Sequence, residues 1–191
     1  TDLKRMIAYS SVSHMGYVLL GFASLGQTGL TSASLQMFTH GTITGLLFLM
    51  VGVTYERTHT RSIPEMSGLA SRMPVIASVF VVAGLASLGL PGLSGFVSEV
   101  TVFFGTFHRW AVATVLGAFG VVLSAGYILW MLQRVFFGPQ REVHYELRDA
   151  RPVEVLAMLS LVVPIFLVGL YPAVLADYFR AGVASIVQRL G

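Results

Sequence analysis

Three protonatable side chains fall inside otherwise apolar stretches of this sequence: His14, His40 and Glu99. They are the only histidines of five, and the only acidic residue of nine, that fall well inside such a stretch. A charged residue at the centre of a membrane helix costs roughly 2.5–3.5 kcal/mol, so such residues are rare and mostly functional. Two imidazoles and a carboxyl are suited to taking up and releasing protons near neutral pH. A lone buried histidine more often makes a packing hydrogen bond, and a lone carboxyl can be purely structural. Three such groups with no Lys or Arg buried beside them favour a proton relay. Ser10, Ser13, His14, Tyr17, Gly21 and Ser24 form a polar, small-residue stripe on one helix face, suited to a file of water. His40 lies between Gln36 and Thr44, each four residues away and therefore on its own face.

The helix carrying Glu99 is expected to be discontinuous. Pro74 to Phe107 is about 34 residues, and one straight helix of that length would measure about 50 Å, well beyond a bilayer core of about 30 Å. In its middle stand Gly89, Pro91, Gly92 and Gly95. Pro91 lacks the helical N–H, and the glycines weaken a helix interior. Two half-helices joined by an unwound stretch are predicted. Irregular backbone at membrane depth is tolerated only inside protein or beside a water-filled cavity, and in transporters it marks the ion site. The plainer alternative is a Pro kink with tight Gly packing.

The rest of the sequence supplies the elements that must hold these groups. Of 191 residues, 55% are hydrophobic and 11% charged, with mean hydropathy +0.77. Soluble domains carry about 25% charged residues, so a soluble globular enzyme is excluded. An all-α polytopic membrane protein is predicted, because each span must satisfy its own backbone polar groups. Five spans are expected: Met6 to Leu25, Thr31 to Tyr55, the broken Pro74 to Phe107, Trp110 to Phe137, and Val153 to Tyr171 with a kink at Pro164. After Pro172 the apolar residues recur at helical spacing, interrupted by Asp177, Arg180 and Arg189, which reads as an amphipathic helix in the interface. The chain thus divides into a membrane domain, 1–171, and a tail, 172–191. Gly41 and Gly45 are read as a close helix-packing pair. His59, His108 and His144 are read as connector residues.

With five spans, nine of the twelve basic residues fall on one side: Lys4, Arg5, Arg57, Arg61, Arg72, Arg134, Arg141, Arg148 and Arg151. Arg109, Arg180 and Arg189 fall on the other. The positive-inside rule places the first side in the cytoplasm. These loop charges, with Glu142 among them, are read as solvated anchors. There is no cysteine, hence no thiolate metal site or iron–sulfur cluster. No dinucleotide fingerprint, phosphate loop or catalytic triad is found, so no cofactor, metal or nucleic acid is expected. The sequence starts at Thr1, with no signal peptide before its first apolar run, and reads as a piece of a longer protein.

The run from Asp2 to Gly16, DLKRMIAYSSVSHMG, resembles a signature of the antiporter-like membrane subunits of respiratory complex I. Phe38-Thr39-His40-Gly41, the run Tyr55 to Arg61, and Gly89-Leu90-Pro91 leading to Phe96 and Glu99 fit the same family. The resemblance covers nearly the whole chain and is weakest after Pro172. It implies a fold of about fourteen helices with two inverted five-helix repeats, of which this chain holds most of the second repeat and the last span. It also implies that His14 and His40 are central relay histidines and that Glu99 is the acidic residue of the second broken helix. Two sister subunits carry Lys at that place. Lys4 takes a positional role at the intake of a half-channel. The implied activity is that of a proton-translocating subunit of an NADH:quinone oxidoreductase, with the electron-transport chemistry in other subunits. Protons would pass along His14 and His40 towards Glu99. The implied partners are neighbouring antiporter-like subunits, lipid and protons, in a bacterial plasma membrane or an organelle inner membrane. An Mrp-type cation/proton antiporter, a membrane-bound hydrogenase subunit and a purely structural scaffold are the alternatives.

Overall fold

The computed structural model describes residues 1–140 and 146–190, and among these the secondary structure is entirely helical apart from one isolated bridge, Asp2 with Ser62. Arg141, Glu142 and His144 lie outside the described residues. Seven α-helices follow in order: α1 Leu3–Ala23, α2 Gln27–Thr58, α3 Pro74–Ser87, α4 Ser94–Thr106, α5 Ala111–Phe136, α6 Pro152–Leu170 and α7 Ala173–Leu190. Four of them, α1, α2, α5 and α6, are long and apolar enough to cross a membrane. The pair α3 and α4 makes up the interrupted stretch between Pro74 and Phe107. α6 runs through Pro164.

The ends of the helices meet as alternating passes require. Leu3 N–H donates to the Arg61 carbonyl (2.9 Å) and Ile63 N–H to the Thr1 carbonyl (2.8 Å), joining the start of α1 to the end of α2. At the opposite end the Trp110 indole donates to the Ala23 carbonyl at 2.9 Å, joining the start of α5 to the end of α1. The core packs Leu46, Leu47 and Met50 of α2 with Phe80 of α3, Phe136 of α5 and Ile165 of α6, all fully buried. Outward faces stay apolar, with Val112, Phe119, Val153 and Leu170 more than half exposed, as a lipid-contacting surface allows.

At the basic end the connector after α2 makes two 3₁₀ turns, Ile63–Glu65 and Leu69–Ser71, and buries Ile63, Met66, Leu69 and Met73 in the core. One expectation is corrected here: Arg57 is not a solvated anchor. Its guanidinium donates to Glu154 Oε2 (2.6 Å), to the Arg148 carbonyl (2.8 Å) and to the Asp149 carbonyl (3.1 Å). The Asp149 carboxylate accepts from Val75 N–H (2.8 Å) and Ile76 N–H (3.2 Å), two of the otherwise orphan donors of the first turn of α3. One arginine thereby ties α2, the 146–151 segment and α6 together, and the same segment caps α3. Arg57→Ala removes a partner from the Glu154 carboxylate and from the Arg148, Asp149 and Val53 carbonyls. We expect a loss of about 2–3 kcal/mol, measured as a lowered thermal unfolding midpoint. Arg57→Lys should recover only part of it, because an ammonium cannot replace the planar fork.

Helix approach also uses other glycines than expected. Among the described residues, Gly41 has nothing within 4 Å of an added methyl group, and Gly45 has only Leu161 at 3.9 Å. Close contact occurs instead where a methyl on Gly21 would meet Ala33 and the Gly29 carbonyl, both at 2.9 Å, and where one on Gly105 would meet Gly29 at 2.7 Å. Gly29 thus sits between α1 and α4.

Candidate functional site

The break between α3 and α4 is a full helix stop. The α3 backbone closes with Gly89 N–H to the Ala86 carbonyl (3.3 Å) and Leu90 N–H to the Leu85 carbonyl (3.0 Å), the paired pattern of a Schellman C-terminus. Gly89 holds the left-handed position this needs, with φ +80°. Gly92 takes φ +94°, and extended Leu93 opens α4. Gly169 of α6 covers the unwound stretch so closely that a methyl there would meet the Gly92 carbonyl at 2.3 Å. One side of the irregular backbone is thus covered by α6, while Leu90 and Pro91 stay exposed.

Glu99 emerges in the second turn of α4 and turns toward α1. Its Oε1 lies 3.0 Å from His14 Nδ1, with side chains only 5% and 4% exposed. Its Oε2 sits against the break, where a methyl on Gly89 would meet it at 2.8 Å. His14 Nε2 has the Ser87 hydroxyl, at the end of α3, at 3.4 Å. The His40 ring lies beside His14, centroid to centroid 5.1 Å and tilted by 36°. Thr44 Oγ1 stands 3.2 Å from the ring nitrogens of His40. The three residues singled out from the sequence therefore meet at one place. Their order differs from the expected one: His14 stands in the middle, with Glu99 on one side and His40 on the other.

This arrangement can hold a shared proton in two forms. Either the imidazole N–H donates to the carboxylate, or the carboxylic O–H donates to the imidazole. The hydrogen bond survives the transfer in both cases, so moving the proton strands no buried partner. Gly89→Ala should push Glu99 away from this position and strain the left-handed backbone by roughly 1–2 kcal/mol. We expect loss of the His14–Glu99 contact together with a lowered thermal unfolding midpoint.

Further polar groups surround the trio. Thr39 Oγ1 and Ser98 Oγ lie 2.8 Å apart and buried, linking α2 to α4 beside Glu99. Gln36, one turn before His40, is 2% exposed. Among the described residues its Oε1 has no hydrogen-bond partner, and neither does Tyr17 Oη. Nothing distinguishes Ser87, Thr39 or Ser98 in the sequence from the many other hydroxyl residues of these helices.

The polar stripe of α1 splits into two parts. Ser10 and Ser13 line a cavity of about 420 Å³ at the basic end, together with Asp2, Arg5, Tyr9 and Tyr127. Ser10 is one turn before His14. Gly21 and Ser24 instead serve close packing, Ser24 Oγ donating to the Gly21 carbonyl at 2.8 Å. Lys4 is exposed and is not among the residues lining the cavity; Arg5 is the basic residue that does. The described residues hold no cluster of three or more His, Cys, Asp or Glu side chains fit for a metal ion.

Residues 1–124 match the family model described as NADH:quinone oxidoreductase/Mrp antiporter, TM. The chain is similar to NAD(P)H-quinone oxidoreductase chain 4 2 of Synechococcus sp. (strain JA-3-3Ab), 45% identical over 199 aligned positions, covering 99% of this chain and 37% of that protein. It is 48% identical over 188 positions to NAD(P)H-quinone oxidoreductase chain 4 of Gloeobacter violaceus, covering 93% of this chain and 36% of that one. The chain therefore spans well under half the length of these relatives. Among solved structures, a chain of respiratory complex I from Thermus thermophilus superposes with TM-score 0.93 at 31% identity, over 100% of this chain and 40% of that one. A chain of the Mrp complex from Dietzia sp. shares the fold, with TM-score 0.81 at 21% identity, over 98% of this chain and 44% of that one.

Proposed function

Because the chain belongs to the NADH:quinone oxidoreductase/Mrp antiporter transmembrane family, we propose that it is the C-terminal part of a chain 4 (subunit M) proton-translocating subunit of an NAD(P)H-quinone oxidoreductase. The identity of about 45% to chain 4 proteins favours this reading over an Mrp antiporter, whose likeness rests on the fold. In this reading residues 1–171 form the translocating membrane domain and 172–191 the interfacial tail. NADH oxidation and quinone reduction belong to other subunits, and this chain holds no cofactor. Its partners are neighbouring antiporter-like subunits, lipid and protons.

One observation carries the reading: the 3.0 Å contact of His14 with Glu99, with His40 stacked beside it, all at a broken helix. Protons enter from the basic, cytoplasmic side through the cavity lined by Arg5, Ser10 and Ser13, which ends one turn from His14. Arg5 is the basic group of that mouth, with Lys4 beside it. The trio stores and hands on a proton when the complex changes conformation or charge nearby. A scaffold of helices has no need to sink a carboxyl and two imidazoles in oil, at a cost of several kcal/mol. The test is Glu99→Gln in the whole complex. The reading expects proton pumping to collapse with the fold intact, and full pumping would refute it.

A further inference from the structure

A cavity at the basic end takes no part in the relay. It measures about 570 Å³ and lies between the end of α5 and the first 3₁₀ turn of the connector after α2. Close backbone packing fixes its walls. A methyl on Gly138 would meet the Ser67 hydroxyl at 2.3 Å, and one on Gly68 would meet the Gln140 backbone at 2.6 Å. Trp130, Gln133, Arg134 and Phe137 share one face at the end of α5 and line the cavity from that side.

Two groups of this lining lack an acceptor. The Gln140 amide nitrogen is buried and has no hydrogen-bond partner among the described residues. The Arg134 guanidinium lies over the Trp130 ring, 4.6 Å from its centroid. Among the described residues no carboxylate pairs with it, the ion pairs being His14–Glu99, Arg57–Glu154 and Arg180–Asp177. Stacking holds the guanidinium plane and leaves its N–H fork to meet a ligand. With the Gln140 amide and the Ser67 hydroxyl, that fork can donate to several oxygens of one anion. A phosphate group suits such a donor set, and a cation is repelled by the arginine.

Depth points to the source of the phosphate. α5 is long and apolar enough to cross a membrane, and Arg134 stands in its last turn. That is headgroup level, where Trp and Arg gather and basic pockets take anionic lipids. Beside the polar lining, Trp130 is 40% exposed and Phe137 63%. An acyl chain can cover this apolar flank, for which a free phosphate ion has no use. A zwitterionic headgroup would bring its own ammonium against Arg134.

We propose that this cavity binds the phosphodiester headgroup of an anionic membrane phospholipid. Arg134 is its charge partner, Gln140 and Ser67 donate to it, and Trp130 and Phe137 receive the first part of an acyl chain. The bound lipid ties α5 to the connector after α2. This makes one specific site out of the lipid surroundings and does not depend on the relay.

The test uses the full complex in lipid nanodiscs of phosphatidylglycerol and phosphatidylcholine in equal parts. Phe137 is replaced by the photoreactive analogue p-benzoylphenylalanine, and lipid adducts on this chain are identified by mass spectrometry after illumination. Phosphatidylglycerol adducts should exceed phosphatidylcholine adducts severalfold. Arg134→Gln should bring the two to their ratio in the bilayer, and Arg134→Lys should keep part of the bias. Excess inorganic phosphate at constant ionic strength should change nothing. Adducts in the bilayer ratio with Arg134 in place, an undiminished bias in Arg134→Gln, or adducts only to a neighbouring polypeptide would overturn the site. Displacement by inorganic phosphate would overturn the lipid as its ligand. Should the position 137 variant fail to assemble, the photoreactive group at Gln133, which is exposed and lines the same cavity, is read by the same outcomes. Pumping lost in Glu99→Gln with no lipid bias here sinks the lipid site alone, and full pumping there sinks the relay alone.

Discussion

Glu99→Gln in the complete complex should cut redox-driven proton pumping at least about tenfold, equivalent to about 1.4 kcal/mol or more on the limiting transfer. The side chain keeps its size, and glutamine can still donate to or accept from His14, so the packing around Ser87 and Gly89 is kept. What is lost is the ability to hold a proton and give it up. Glu99→Asp separates this from a simple volume effect. It restores a titratable group but withdraws it by one methylene from the 3.0 Å contact, so it should recover pumping in part. Rates of internal acidification in reconstituted vesicles, at matched levels of assembled complex, give the comparison.

Gly95→Ala should have the larger structural effect. Gly95 lies in the first turn of α4, where an added methyl would stand 2.0 Å from the Ala86 carbonyl oxygen of α3, with Ile43 at 3.3 Å. The clash is with backbone, which cannot swing aside as a side chain can. Relief requires separating the two half-helices whose junction sets the direction of Glu99. Overpacking of this kind costs about 3 kcal/mol or more. We expect little assembled complex, read from its yield after mild detergent extraction. Gly41→Ala is the control, because a methyl there meets nothing within 4 Å among the described residues and should leave the yield unchanged.

Much of the site was legible in the sequence, for one physical reason. Ionisable residues in an apolar run are costly enough that His14, His40 and Glu99 stand out without reference to a fold. The interrupted helix was legible for a similar reason: Gly89, Pro91 and Gly92 together cannot continue a helix. Their convergence could not be read, because it depends on contacts between residues such as Ser87 and His14, 73 positions apart. The same holds for Arg57, whose type and place in a basic connector suggest a solvated anchor. Only the return of Glu154, 97 positions later, makes it a half-buried tie. The pair Gly41 and Gly45 has the spacing of a packing motif but faces outward, whereas Gly29, Gly95 and Gly169 carry the close approaches without any such motif. Spacing along one helix says which residues share a face. It does not say which face another helix will cover.

The account stands on Glu99 changing its protonation state as the complex works. Infrared difference spectra of the full complex, recorded between rest and redox-driven turnover, report this directly through the carboxyl C=O stretch. The prediction is a carboxyl band that appears or vanishes on turnover, is absent in Glu99→Gln, and shifts when His14→Asn removes the hydrogen-bonding imidazole. A turnover spectrum identical in Glu99→Gln and the unsubstituted complex would mean that Glu99 never exchanges its proton, and would contradict the relay.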